Sequence, residues 1–215
     1  MSLPVAVLIS GRGSNMKALL EACSKPEFPA HIALVISNNN DAYGIDIAHE
    51  YGVKTEILSH KHYDSRAEFD AALDRCLMAN DVKMVCLAGF MRLLGREFVE
   101  NWNGKLINVH PSLLPAFKGL DTHARALEKG VKLHGCTVHY VSPEMDEGPI
   151  IGQAAIPVRY GDDKATLADR VLEAEHQLYP ACLESLALGQ ITLKNGRVIV
   201  SLVPGSAAKI LLNRE

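Results

Sequence analysis

The sequence predicts an α/β protein with a Rossmann-like, mostly parallel sheet, helices on both faces, in a single domain. Three observations predict it. Apolar runs of strand length recur along the chain (Val5 to Ser10, Ile32 to Ser37, Met84 to Leu87, Leu106 to His110), separated by stretches whose apolar residues keep helical spacing. The first run ends in Gly11-Arg12-Gly13-Ser14-Asn15 and passes straight into a helix. The 215 residues, 48% of them hydrophobic, suffice to bury a substantial core.

After the glycine turn, Met16, Leu19, Leu20 and Cys23 recur on one helical face. Such a strand, turn and helix gathers backbone N–H groups at a helix N-terminus, which favours an anion, most simply a phosphate. A purely structural turn would use glycine as well. The dinucleotide fingerprint is not met: position 16 is Met rather than a third glycine, and the second strand leads into Asn38-Asn39-Asn40 instead of an acid. A monophosphate therefore fits better than NAD.

A short helix from Ile45 to Tyr51, stopped by Gly52, and a strand from Lys54 to Leu58 continue the alternation. Ser65-Arg66-Ala67-Glu68 reads as a capping box for a helix that carries Phe69, Ala72, Leu73, Cys76 and Leu77 on one face. Met84 to Leu87 is a buried strand running into Gly89-Phe90-Met91-Arg92-Leu93-Leu94. Parallel sheets bind ligands at the carboxyl ends of their strands, so Gly11 to Asn15, Gly89 to Leu94 and Asn108 to His110 are expected on one rim.

In Leu106-Ile107-Asn108-Val109-His110-Pro111-Ser112-Leu113-Leu114-Pro115 a strand delivers two polar side chains to its own end. Side chains alternate along a strand, so Asn108 and His110 point to the same side. The prolines then force the chain out of the sheet. Thr122 is expected to cap a short helix ended by Gly130, and Gly135 to Val141 and Ile150 to Val158 are strands. Between them, Ser142-Pro143-Glu144-Met145-Asp146-Glu147-Gly148-Pro149 is an acidic turn. Glu144 and Glu147 read as solvated, whereas Asp146 is a candidate to orient and charge-stabilise His110.

Thr166 to Asp169 reads as a second capping box, opening a long helix bent or broken near Pro180. Glu175 falls on its apolar face, where a carboxylate needs a partner: either an internal salt bridge or a polar substrate. The end, Ile191 to Leu193 and Val198 to Val203 around Asn195-Gly196, is a hairpin. The chain thus divides into a body, residues 1–190, and a hairpin appendage, residues 191–215.

Composition limits the partners. Lys and Arg number 22 against 25 Asp and Glu, for a net charge of -3 with no basic block, which argues against a nucleic acid. Five scattered cysteines describe reduced core thiols better than a disulfide frame. His60-Lys61-His62 reads as a solvated turn rather than a metal pair, and no CxxC or HExxH motif occurs. Neither a signal peptide nor a membrane span is expected, so the protein is expected in the cytoplasm, as a monomer or homodimer.

The motifs Ile9-Ser-Gly-Arg-Gly-Ser-Asn15, Leu87-Ala-Gly-Phe-Met-Arg92, Asn108-Val-His110-Pro-Ser-Leu-Leu-Pro115, Asp146-Glu-Gly-Pro-Ile-Ile151 and Glu175-His-Gln-Leu-Tyr-Pro180 together resemble those of the folate-dependent formyltransferases. The likeness extends over nearly the whole chain. It implies formyl transfer from 10-formyltetrahydrofolate to the amine of 5-phosphoribosylglycinamide, in purine biosynthesis, without a metal. By resemblance the catalytic residues are Asn108, His110 and Asp146. The phosphate loop falls on Gly13, Ser14 and Asn15, with Glu175 as a further contact to the ribonucleotide. The folate contacts fall on Arg66, Met91, Arg92, Leu93, Leu94, Asn108 and the loop Ser142, Pro143, Glu144, Met145 and Asp146. The N-terminal half of residues 1–190 would then bind the ribonucleotide, and the C-terminal half would bind folate and carry the chemistry.

Relatives with the same three residues set the alternatives. A methionyl-tRNA formyltransferase needs a further C-terminal domain and a basic surface, and a formyltetrahydrofolate deformylase needs an N-terminal regulatory domain. A nucleotide-binding module without catalysis would leave Asn108, His110 and Asp146 unconstrained.

Overall fold

The computed structural model describes residues 2–201. The residues form two compact units that divide within one strand, the first ending at Asn108 and the second beginning at Val109. Of the seven strands of the main sheet, four lie wholly in the first unit and a fifth runs across the boundary.

In the first unit, β1 (Leu3–Ile9), α1 (Ser14–Cys23), β2 (Ala30–Ser37), α2 (Gly44–Glu50), β3 (Thr55–Ile57), α3 (Arg66–Ala79), β4 (Met84–Leu87), α4 (Arg96–Asn101) and β5 (Leu106–His110) follow in turn. The strands pair in the order β3-β2-β1-β4-β5, and every pairing is parallel. Val5 to Ile9 and Val85 and Cys86 are wholly buried, as expected for a sheet covered on both sides, whose strands read as continuous apolar runs. The fold is α/β and Rossmann-like, as the alternation predicts.

Helix α3 begins with the cap anticipated: Ser65 accepts from the Glu68 N–H at 3.2 Å. The reciprocal half differs, because the Glu68 carboxylate takes the N–H of Asp64 rather than that of the cap residue. His60–His62 forms a single 3-10 turn.

The second unit holds α5 (Thr122–Glu128), β6 (Leu133–Tyr140), β7 (Ile150–Pro157), α6 (Lys164–Ala187), β8 (Ile191–Lys194) and β9 (Arg197–Val200). Strands β6 and β7 are antiparallel, and α6 packs on both. Three expectations are corrected here. Thr122 does not cap α5: its hydroxyl donates to the Pro111 carbonyl at 2.6 Å, and the cap position falls on Asp121 in a left-handed conformation. The capping box of α6 lies at Asp163 and Thr166, three residues earlier than the acidic pattern suggested. The helix also continues through Pro180, with Leu178, Tyr179, Cys182 and Leu183 buried on either side holding it in register. The β8–β9 hairpin turns at Asn195 (φ 51°) and Gly196 (φ 72°), the two positive values that an Asn-Gly turn supplies. Val203, assigned by pattern to the last strand, lies outside the described residues.

All five cysteines are free thiols, and burial pushes Cys23 and Cys182 up to about 12, which keeps both protonated and inert. No helix among the described residues is long and apolar enough to cross a membrane.

Candidate active site

In the first unit the rim at the carboxyl ends of the strands is tied together by Ser10. Its hydroxyl donates to the Asn38 side chain at 2.6 Å and accepts from the Met91 N–H at 2.7 Å. Ser10 thereby joins the ends of β1 and β2 to the loop after β4, so the Gly11 to Asn15 turn and Met91 to Leu94 share a rim as expected. Gly13 occupies the N-cap of α1 at φ 76° with no side-chain cap. Its lack of a side chain has a packing reason: a Cβ there would come within 2.8 Å of the Gly44 Cα. Ser14 and Asn15 open the helix.

The loop from Met91 to Leu94 is held from α3. The Arg92 guanidinium lies 4.6 Å over the Phe69 ring, a cation–π contact. Asp70, buried beside it, accepts from the Gly95 N–H at 2.7 Å. Burial raises the Asp70 carboxyl above its ordinary value, against the lowering influence of the Gly95 N–H and the nearby Arg92 and Arg66. Met91 and Leu93 are exposed apolar side chains on this loop. Asn108 lies on β5, two residues before His110.

In the second unit the Pro111 to Pro115 segment is pinned by side chains that pattern reading did not single out. The Thr137 hydroxyl donates to the Ser112 carbonyl at 2.7 Å and accepts from the Leu114 N–H at 3.0 Å, and Gln153 donates to the Leu114 carbonyl at 2.9 Å. His110 emerges from this support 6% exposed. Its Nε2 donates to the Phe117 carbonyl at 3.1 Å, which assigns the proton to that nitrogen because a carbonyl only accepts. Its Nδ1 faces Asp146 Oδ2 at 3.5 Å.

Asp146 reaches His110 because the acidic turn is pressed against β6. Gly148 makes this possible, since a Cβ there would fall 1.7 Å from the Tyr140 carbonyl oxygen, and the Pro149 carbonyl accepts from the Tyr140 N–H at 2.9 Å. Asp146 adopts φ 54°, an unusual value for a residue other than glycine and one that often marks functional positions. The Gly119 N–H donates to its Oδ2 at 2.8 Å. His139, absent from the sequence-derived candidates, places Nε2 3.9 Å from Asp146 Oδ1 and donates from Nδ1 to the Tyr140 carbonyl at 2.8 Å. Burial holds its pKa below the usual histidine range, opposed by the Tyr140 carbonyl and by Asp146. The signal for it was strand alternation in β6, which carries Thr137 and His139 on one side.

On the same turn, the Ser142 hydroxyl donates to the Glu144 carbonyl at 2.9 Å, and Pro143 and Met145 are exposed. Glu147 pairs with Lys118 at 2.7 Å in a solvent-facing contact. Glu175 is 6% exposed on α6, and its charge adds to the burial that raises the Cys136 thiol. Among the described residues, no three His, Cys, Asp or Glu side chains are grouped to hold a metal ion.

The formyl transferase family model matches residues 3–183. The chain is 50% identical over 195 residues to the trifunctional purine biosynthetic protein adenosine-3 of Homo sapiens, an alignment that takes in 90% of this chain and 19% of that protein. It thus spans about a fifth of that relative. It is 41% identical to the phosphoribosylglycinamide formyltransferase of Escherichia coli, with 88% of this chain and 89% of the relative aligned. The glycinamide ribonucleotide transformylase 1 of Symbiobacterium toebii superposes with a TM-score of 0.90 at 44% identity, covering 93% of this chain and 94% of that one.

Proposed function

The chain belongs to the formyl transferase family, and we propose that it transfers the formyl group of 10-formyltetrahydrofolate to the amine of 5-phosphoribosylglycinamide. The observation that carries this reading is the His110–Asp146 pair, largely withdrawn from solvent and formed by two of the motifs that carry the resemblance. The E. coli relative, aligned over most of both chains, bears the name of this reaction.

In this reading the substrate amine attacks the formyl carbon, and negative charge develops on the formyl oxygen. The Asn108 amide and an N–H of His110, projected to the same side of β5, stabilise that charge. The new C–N bond forms, the bond to the folate nitrogen breaks, and the folate nitrogen takes up a proton while the attacking amine gives one up. His110, with its charge supported by Asp146, serves in this proton transfer. Gly13, Ser14 and Asn15 receive the phosphate at the α1 N-terminus, and Glu175 contacts the ribonucleotide. Arg66, Met91 to Leu94 and Ser142 to Asp146 hold the folate, with the exposed Met91, Leu93 and Met145 offering apolar surface to its ring system.

Formyl transfer measured in parallel with 5-phosphoribosylglycinamide, water and initiator tRNA as acceptors tests the proposal. Turnover with the glycinamide alone is the expected result. Equal or faster loss of formyl to water would turn the reading to a deformylase.

A further inference from the structure

The segment from Phe117 to Leu120 touches both members of the His110–Asp146 pair. Its Phe117 carbonyl accepts from His110 Nε2 at 3.1 Å, and its Gly119 N–H donates to Asp146 Oδ2 at 2.8 Å. It belongs to no helix or strand, and Phe117 has φ 55°. A bulky side chain does not keep that conformation unless its surroundings impose it.

Arg125, in the last turn of α5, is placed to impose it. Its Nη1 donates to the Lys118 carbonyl at 2.6 Å and to the Leu120 carbonyl at 3.2 Å, the two carbonyls that flank Gly119. Its guanidinium also lies 5.7 Å over the Phe117 ring. One planar cation therefore meets the segment at three points, Phe117, Lys118 and Leu120, around the two backbone groups that meet His110 and Asp146. The Phe117 ring also meets the His134 ring edge-on at 5.9 Å, and Lys118 pairs with Glu147 in a solvent-exposed contact of small weight.

We propose that Arg125 is a positioning residue for the His110–Asp146 pair, acting through the backbone of residues 117–120. The inference rests on the catalytic reading of that pair. Arginine suits the task because its rigid fork can serve two carbonyls while its face stacks on an aromatic ring, which the point charge of a lysine cannot do. Nothing in the chemistry of the step requires the guanidinium itself to meet substrate.

The test compares Arg125→Met, Arg125→Lys and the parent, with His110→Ala as the control. Arg125→Met should lower kcat by up to about 10²-fold, the scale of ångström misplacement of a reacting group, with both KM values unchanged. Arg125→Lys should recover part of the loss. The His110 Nε2–H proton, read by NMR without substrate, should exchange with water faster in Arg125→Met than in the parent. Parent kcat and parent exchange in Arg125→Met would overturn the inference, as would a lowered Tm with unchanged exchange at His110. Full activity of His110→Ala would overturn the catalytic reading instead, and the exchange measurement separates the two failures because it needs no turnover.

Discussion

His110 and Asp146 meet through one oxygen. Asp146 Oδ2 lies 3.5 Å from His110 Nδ1 and at the same time accepts the Gly119 N–H at 2.8 Å, so the carboxylate is oriented by the backbone before it faces the imidazole. A group fixed in this way needs little reorganisation when charge appears beside it. Asn108→Ala, His110→Ala and Asp146→Ala are each expected to fold normally and to lose about 10²- to 10³-fold in kcat, the usual cost of one stabilising group. Thermal melts check the fold, and near-parent kcat in any two of the three would remove the assignment.

Stability should fall in mild acid. His134 is buried, and its pKa is brought down from 6.5 to about 4 by burial first, then by the charges of His123 and His110. His123, whose Nδ1 is 3.2 Å from His134 Nε2, is lowered as well, chiefly by burial. The unfolded chain therefore binds these protons at a higher pH than the folded one, and acid favours unfolding. Stability should be level above pH 6.5 and decline from there toward about 4, by roughly 3 kcal/mol for His134 alone. Urea unfolding across this range measures the slope, and His134→Gln should flatten it.

Glu175→Gln separates two uses of one buried carboxylate. As a substrate contact, its replacement weakens ribonucleotide binding, leaves folate binding alone and costs no stability, because an uncharged amide is easier to bury. As half of an internal ion pair, its replacement strands a buried cation and lowers Tm with ribonucleotide affinity unaltered. Calorimetric titration and a melting curve on this one variant decide which pattern holds.

Ser14→Ala is the informative change in the proposed phosphate loop. Any side chain at Gly13 meets the Gly44 backbone at 2.8 Å and a positive φ, so Gly13→Ala should lower Tm whether or not a phosphate binds. Ser14→Ala leaves the turn intact and should raise the ribonucleotide KM while sparing the folate KM. Equal KM values before and after would reduce the loop to a structural turn.

At the proposed folate loop, Asp70→Ala removes the acceptor of the Gly95 N–H and a charge beside Arg92. The expected outcome is a raised KM for the folate and an unchanged KM for the ribonucleotide. A rise in both would show general loosening of the first unit.

The sequence by itself determined whatever depends on a few neighbouring residues. Alternating apolar runs and helical stretches specified the α/β class, Ser65 capped α3, Asn195-Gly196 turned the last hairpin, and proline ended β5 after His110. Asp146 is legible in the acidic turn as a candidate partner for His110, and the motif resemblance supports it, but no local rule supplies its place beside His110. Tertiary structure alone decided the contacts between residues distant along the chain. Ser10 receives the Met91 N–H from 81 positions away, Gly13 is glycine because Gly44 lies against it, and Thr137 and Gln153 hold the proline segment. It also moved the α6 cap to Asp163, kept the helix whole through Pro180 and set His139 beside Asp146. Periodicity and turn chemistry report the preferences of a short stretch of backbone, whereas these outcomes depend on which surfaces packing brings together, and a linear pattern carries no coordinate for that.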